Sequence, residues 1–252
     1  MVVNPYNHGE QIIIPFLMKK YTLLSHQWKA ATRSAAASKS LGIKLFMGFI
    51  FFILFLELLG GGFYLGSELA ENSEDPVADL SRYGLYFFLA ILVGRYMLQK
   101  LPTFMVTPYL NLPIKNSKLV HFILTKPLFN ALNILPLSFA LAITAGLHEH
   151  LDVYTFWMIV AIVIVGDLFV NYLSIYIKRV QIKHEYIFYI FLASVAAFPL
   201  ADQLKILNIQ AISSNVFMQV IENPLWLPAG ILLFAMAYYL NFQLLSKHFS
   251  LE

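Results

Sequence analysis

The sequence contains no cysteine. This excludes a disulfide-stabilised domain, a cysteine-ligated zinc module and any catalyst with a thiol nucleophile. Charge is also scarce, because Asp, Glu, Lys and Arg make up 12% of the 252 residues, about half of the roughly 25% found in soluble domains. Apolar residues reach 59%, and the mean hydropathy is +0.69. So little charge cannot cover a surface that faces water, and the composition predicts an integral membrane protein.

The sequence also lacks the short motifs of common catalytic sites. It contains no G-x-x-x-x-G-K-[ST] phosphate loop, no H-E-x-x-H and no G-x-S-x-G. The segment 148–152 holds two histidines and two acidic residues, but their spacing matches no zinc motif and suits a solvated turn. We therefore predict that the chain is not an enzyme and holds no metal and no cofactor of its own.

Long apolar runs, by contrast, are abundant. A helix needs about 20 mostly apolar residues to cross a hydrocarbon core of about 30 Å. Backbone groups find no water inside the bilayer, so continuous runs of this length favour helices. Six runs are long enough: 45–65, 83–104, 127–147, 153–177, 186–204 and 225–245. The sequence thus predicts an all-α integral membrane protein, with a six-transmembrane-helix bundle in residues 45–252.

The positions of Lys and Arg indicate how this bundle is oriented. When residues 1–44 are placed in the cytoplasm, 15 of the 17 Lys and Arg residues fall on the cytoplasmic side, and only Arg82 and Lys205 fall outside. Such residues are enriched in the cytoplasmic loops of membrane proteins. The pattern predicts a multi-pass protein with its N- and C-termini in the cytoplasm.

Residues 1–44 contain an amphipathic pattern. Apolar residues recur at steps of three and four from Leu17 to Ala35, while Lys19 and Lys20 lie off that stripe. This is typical of an interfacial helix that lies on the inner leaflet, with Trp28 at the level of the lipid headgroups and the lysines facing anionic lipid. A helix that packs on a cytoplasmic partner protein is the alternative.

The segment from Leu98 to Asn130, which contains the connection 105–126 between the second and third predicted spans, is rich in proline. Pro102, Pro108 and Pro113 exclude one continuous helix, because proline lacks an N–H and biases its predecessor toward extended geometry. Proline suits the first turn of a helix, so a short helix can begin at Pro113 and carry the polar residues 115–118. The sequence predicts a short amphipathic helix that binds a partner.

The run LPIKNSKLVHFILTKPL, which begins at Leu112, resembles the coupling helix of type-2 ABC exporter permeases. Its leucine–proline pair, apolar residue, polar cluster and returning apolar helix carry the resemblance. Together with the preceding LQKLP it is similar to uncharacterised multi-pass proteins of Bacteroidota in that class. The resemblance implies that this segment contacts a separate ABC ATPase subunit through Leu112, Pro113, Ile114, Lys115, Asn116, Ser117, Lys118 and His121.

The same resemblance implies further properties. ATP and Mg²⁺ would bind to the partner ATPase, and the chain would lie in the bacterial inner membrane as a homodimer or beside a second permease half. Re-entrant helices would occupy the outer segment 205–224. An ordinary helix packed on the spans is the alternative for that segment.

Three ionisable side chains lie well inside predicted spans. A charge at the bilayer centre costs about 2.5–3.5 kcal/mol on insertion scales, so each charge should face protein or water. Arg95, Asp167 and Glu57 lie at similar depths when residues are counted from the nearest predicted span edge. We predict that Arg95 pairs with Asp167 or with Glu57.

Amide side chains add a polar layer in the inner half of the predicted bundle, at Asn130, Asn133, Asn171 and Asn241. With the three ionisable residues they could line a translocation path near an inner gate. Alternatively, they form hydrogen bonds between helices, worth about 0.6 kcal/mol each on average. The sequence leaves both interpretations open.

These patterns and the resemblance predict the membrane-spanning permease subunit of an ATP-driven exporter, in contact with the lipid bilayer and with no nucleic-acid partner. An ion-coupled secondary transporter that uses Arg95, Asp167 and Glu57 is one alternative. A non-transporting membrane scaffold is the other. Nothing in the sequence identifies the substrate.

Overall fold

A computed structural model gives the fold and describes residues 41–101 and 116–249. The chain divides into two compact units, Met1–Phe49 and Ile50–Glu252. The predicted interfacial helix, with Lys19, Lys20 and Trp28, lies outside the described residues. So do residues 102–115, which include four of the predicted ATPase-coupling residues, Leu112, Pro113, Ile114 and Lys115.

The described residues are all-helical and contain no strand. Their α-helices are α1 (Leu41–Asn72), α2 (Pro76–Arg82), α3 (Gly84–Leu98), α4 (Asn116–Thr125), α5 (Ile134–Gly146), α6 (Val153–Lys183), α7 (Tyr186–Gln203), α8 (Ile209–Glu222) and α9 (Leu227–Phe249). Short 3₁₀ helices cover Lys126–Phe129, Ala131–Asn133 and Pro224–Trp226.

Four of these elements are long and apolar enough to cross a membrane: Leu45–Asn72, Val153–Lys183, Tyr186–Gln203 and Pro224–Lys247. Two pairs of consecutive helices are also long and apolar enough when each pair is counted as one bent span. They are Pro76–Arg82 with Gly84–Leu98, bent by 43°, and Ser117–Phe129 with Ala131–Gly146, bent by 54°. The predicted all-helical architecture is therefore confirmed for the described residues. The described residues hold four helices long and apolar enough to span a membrane, or up to six if each bent pair forms one span.

Two predicted spans extend beyond the α-helices that the structure shows. The second was expected to reach residue 104, but α3 ends at Leu98 and the backbone of Gln99 is extended. Pro102 follows closely in the sequence, and helices usually end before the residue that precedes a proline. The third was expected to start at 127, but α5 begins only at Ile134, after two 3₁₀ turns.

The two ends of the bundle differ in charge and in packing, with Asp79, Glu149 and Glu222 near one end and Lys118, Lys126 and Lys178 near the other. At what we call the acidic end, α2 and α8 pack beside the start of α6 around Met158, Ile159 and Ile221. At the opposite end, which we call the basic end, α4 packs on α6 and α9 around Val120 and Tyr172. The helix α6 runs between both ends and packs against α3, α5 and α9.

The predicted outer segment 205–224 contains the helix α8. Asn208 caps its start by accepting a hydrogen bond from the Ala211 N–H at 2.9 Å. The Ser213 hydroxyl, on its buried face, donates to the Ser81 carbonyl oxygen at 2.6 Å and accepts from the Leu85 N–H at 3.1 Å. These bonds tie α8 to the junction of α2 and α3.

The helices α1 and α5 approach closely at three glycines near the acidic end. A Cβ atom on Gly62 would lie 2.8 Å from the carbonyl oxygen of Phe139, and one on Gly146 would lie 2.5 Å from the carbonyl oxygen of Phe63. Gly66 follows Gly62 by one turn and faces the same crossing. Small residues at this spacing let membrane helices pack backbone to backbone.

We expect Gly66→Ala to destabilise the protein by about 1–3 kcal/mol, the usual cost of overpacking. The added Cβ would collide with the backbone of α5, which outweighs the gain of about 1 kcal/mol in helix propensity. The thermal unfolding midpoint in detergent, followed by circular dichroism, measures this. Gly61→Ala is the matched control, because nothing lies within 4 Å of a Cβ there. Equal midpoints for the two variants would contradict the crossing.

Candidate functional site

The helix α4 has one exposed and one buried face. Ser117, Lys118 and His121 are exposed, whereas Leu119 and Val120 are 1% and 0% exposed. The backbone of Asn116 starts the helix. The predicted coupling residues Ser117, Lys118 and His121 therefore lie on the surface of the basic end. The helix that carries them is anchored by its buried face.

The buried face of α4 packs on two long helices. Val120 and Leu124 belong to one apolar cluster with Tyr172 of α6 and Ala237 of α9. The Tyr172 hydroxyl donates to the Leu124 carbonyl oxygen at 2.6 Å. On the exposed face, His121 Nδ1 lies 2.6 Å from the hydroxyl of Tyr238 on α9. These contacts hold α4 firmly to both helices.

The chain bends by 54° at Asn130, between Ser117–Phe129 and Ala131–Gly146. We call the two 3₁₀ turns around this bend, residues 126–133, the break. The Asn130 side chain caps the second 3₁₀ turn, and Asn133 Nδ2 donates to the Pro127 carbonyl oxygen at 3.1 Å. Asn171 of α6 donates to the same oxygen at 3.3 Å. Asn130 and Asn133 therefore bind the local backbone, and Asn171 ties the break to α6.

Arg95 and Asp167 form an ion pair inside the bundle. Their side chains are 2% and 7% exposed, and Arg95 Nη2 donates both to Asp167 Oδ1 and to the Leu132 carbonyl oxygen. Glu57, the other predicted partner, is exposed on α1 and has no ion pair among the described residues. The pair connects α3 to α6 and also contacts the break.

A second polar contact follows one turn later along both helices. Gln99 Nε2 donates to Asn171 Oδ1 at 2.7 Å, and both side chains are buried. Gln99 and Asn171 each lie four residues after a member of the Arg95–Asp167 pair, so α3 and α6 run parallel and in register here. Lys178 donates to the Gln99 carbonyl oxygen at the end of α3.

Sequence reasoning found Arg95, Asp167 and Asn171 but missed Gln99 and Lys178. The i, i+4 spacing of Arg95 with Gln99 was a usable signal, because it repeats the spacing of Asp167 with Asn171. Asn241, the last predicted amide, is fully buried. It donates to the Tyr172 carbonyl oxygen at 2.8 Å and thereby joins α9 to α6.

The Arg95 guanidinium has unused hydrogen-bonding capacity. Its Nε and Nη1 are buried and have no hydrogen-bond partner among the described residues. The same holds for Asn133 Oδ1 and Asn241 Oδ1. The polar network fixes helix positions, but part of its donors and acceptors is free to bind water or to exchange partners when the helices move.

The segment 148–152 at the acidic end is largely exposed and leads into α6. Asp152 Oδ2 accepts from the backbone N–H groups of Tyr154 and Thr155 at 3.1 and 3.4 Å. The hydrogen bond from the Thr155 side chain lowers the pKa of Asp152 from its usual value. Its carboxylate is thus engaged in capping the helix, while His148 and Glu149 are exposed.

A family model described as "Family of unknown function (DUF5687)" matches residues 27–252. No curated protein and no solved structure matches the chain. A functional conclusion therefore depends on the geometry of the polar network and of α4.

Proposed function

We propose that this chain, which belongs to the DUF5687 family of unknown function, is the membrane-spanning permease subunit of a type-2 ABC exporter. It lies in the bacterial inner membrane with its basic end and both termini in the cytoplasm. ATP and Mg²⁺ bind to a separate ATPase subunit, and a second permease subunit completes the transporter. The observation that carries the proposal is the two-faced helix α4.

The contacts of α4 suit the transmission of movement from a partner into the membrane. Its exposed face offers the polar groups of Ser117 and Lys118 to a protein at the basic end. His121, on the same face, contacts Tyr238 of α9. Its buried face is fixed to α6 and α9 by the cluster around Tyr172. A displacement of α4 by the ATPase therefore moves both long helices.

The break and the ion pair determine where this movement is absorbed. The break holds few α-helical hydrogen bonds, because its residues form 3₁₀ turns, and 3₁₀ segments are common at hinges. The contacts of Arg95 with Asp167 and of Gln99 with Asn171 join α3 to α6 as one body. We infer that α3 and α6 move together and that α4 and α5 change their angle at residues 126–133.

Lys118→Glu should reduce co-purification of the ATPase subunit at least tenfold, because it reverses the charge of the exposed face of α4. The measurement is the amount of ATPase recovered on affinity-tagged full-length chain from a native membrane extract. Lys205→Glu, also exposed but at the acidic end, is the matched control and should leave recovery unchanged. Equal losses in both variants, or recovery of no ATPase with the unaltered chain, would reject the proposal.

An ion-coupled secondary transporter is a second candidate, favoured by the nearly buried ion pair of Arg95 and Asp167. It predicts substrate or proton flux in liposomes that contain the purified chain alone, driven by a pH gradient. Asp167→Asn should abolish that flux. The exporter proposal predicts no such flux without the ATPase, so the two candidates give opposite results.

A further inference from the structure

A cavity of about 390 Å³ lies in the acidic half of the bundle, away from the polar network. Its walls come from α1, α2, α3, α5, α6 and α8. Sixteen residues line it; none is charged, and only Ser81 and Tyr83 have polar side chains. Its volume falls in the range of small-molecule sites, roughly 300–1,000 Å³.

Stacked aromatic rings form part of the cavity wall. The ring of Phe88 on α3 stacks on that of Phe217 on α8, with centroids 5.9 Å apart. Gly84 and Gly166 leave the space that these two rings occupy, since a Cβ on either glycine would collide with a ring. Glycine at these two positions therefore allows both rings to take their places in the cavity wall.

The chemistry of the lining excludes water as the main occupant. A buried water needs two to four polar partners, and cavities lined by hydrocarbon stay dry but take up apolar molecules. The Ser81 carbonyl oxygen already accepts from Ser213. The cavity therefore suits a molecule that is itself a hydrocarbon.

We propose that the cavity binds one acyl chain of a phospholipid from the surrounding bilayer. Leu65 of α1 lines the cavity and is 46% exposed, so one wall borders the lipid. Arg82 lies between the lining residues Ser81 and Tyr83, and its side chain is 54% exposed although it pairs with Asp79 at 2.7 Å. This guanidinium complements the charge of a phosphate whose acyl chain enters the cavity.

The site requires neither the ATPase nor transport, and its test is separate from theirs. The full chain is reconstituted in vesicles of phosphatidylethanolamine and phosphatidylglycerol that contain a small share of phosphatidylethanolamine with a diazirine on one acyl chain. After illumination, labelled peptides are mapped by mass spectrometry. Adducts are expected on Ile143 and Ile159, which line the cavity and are only 7% and 8% exposed. Adducts confined to exposed residues such as Phe49 and Phe52 would overturn the proposal.

Two variants test whether the cavity itself causes the labelling. Ala140→Phe fills the cavity from α5, and Leu65→Trp fills it from the exposed wall. Each should reduce labelling of Ile143 and Ile159 at least fivefold and leave labelling of exposed residues unchanged. Leu56→Trp, on the same helix and 50% exposed but outside the cavity, is the control for Leu65→Trp. If Ala140→Phe does not fold, Leu65→Trp decides, and unchanged labelling in that variant overturns the proposal.

Discussion

Arg95→Met should lower the free energy of unfolding by about 3–5 kcal/mol, the usual cost of removing one partner from a buried ion pair. The substitution leaves the Asp167 carboxylate buried at 7% exposure without a cation. Asp167→Leu should cost a similar amount for the complementary reason. Unfolding in mixed micelles with increasing sodium dodecyl sulfate, followed by circular dichroism, measures both.

The double variant, Arg95→Met with Asp167→Leu, should regain most of the lost stability. Replacing both members of a buried pair by apolar residues is often neutral or stabilising. Arg82→Met is the matched control, because the Arg82–Asp79 pair is 54% and 29% exposed and such pairs contribute about 0–1 kcal/mol. A double variant no more stable than the single ones would show that pairing does not account for the burial of Arg95 and Asp167.

Tyr172→Ala should cost about 3–5 kcal/mol, as for other large aromatic residues truncated in a core. Tyr172 is fully buried, and its ring lies 5.6 Å from that of Phe234 and 5.3 Å from that of Tyr238. Unfolding in mixed micelles with increasing sodium dodecyl sulfate, followed by circular dichroism, measures this loss of stability as well. We also expect proteolysis at the basic end to become faster, because α4 loses the contacts of Tyr172 with Val120 and Leu124.

Two further variants test whether packing beneath α4 causes the loss of stability in Tyr172→Ala. Tyr239→Ala removes a tyrosine from α9 that is 56% exposed, so it should change stability by less than about 1 kcal/mol. Tyr172→Phe keeps the ring and removes only the hydrogen bond to Leu124, which is worth about 0.5–1.5 kcal/mol. If Tyr239→Ala were as harmful as Tyr172→Ala, packing beneath α4 would not be the explanation.

The sequence predicted the helical architecture and narrowed the partner of Arg95 to two candidates, Asp167 and Glu57. Charges in apolar runs are expensive, so Arg95, Asp167 and Glu57 were visible as residues that need partners. Spacing along single helices could not choose between Asp167 and Glu57, because that choice depends on which faces of α1, α3 and α6 meet. Such contacts between helices are a tertiary property.

The break was not predicted, for a local reason. The run 127–147 is apolar enough to read as one span, yet Asn130 and Asn133 lie near its start. Asparagine side chains compete for backbone hydrogen bonds and so favour turns and caps over helix interiors. Here both bind the backbone, and α5 begins only after them. Hydropathy alone gives no information on this competition between asparagine side chains and the helix for backbone hydrogen bonds.

The exposure of Glu57 on α1 has a consequence for how the protein enters the membrane during synthesis. Residues 45–65 contain fourteen Leu, Ile and Phe residues, each of which favours insertion by about 0.3–0.6 kcal/mol at the helix centre. Together they outweigh the roughly 2.5–3.5 kcal/mol penalty of a single central carboxylate. The translocon can therefore release α1 into lipid before any later helix has been made, and the glycine crossing with α5 forms afterwards.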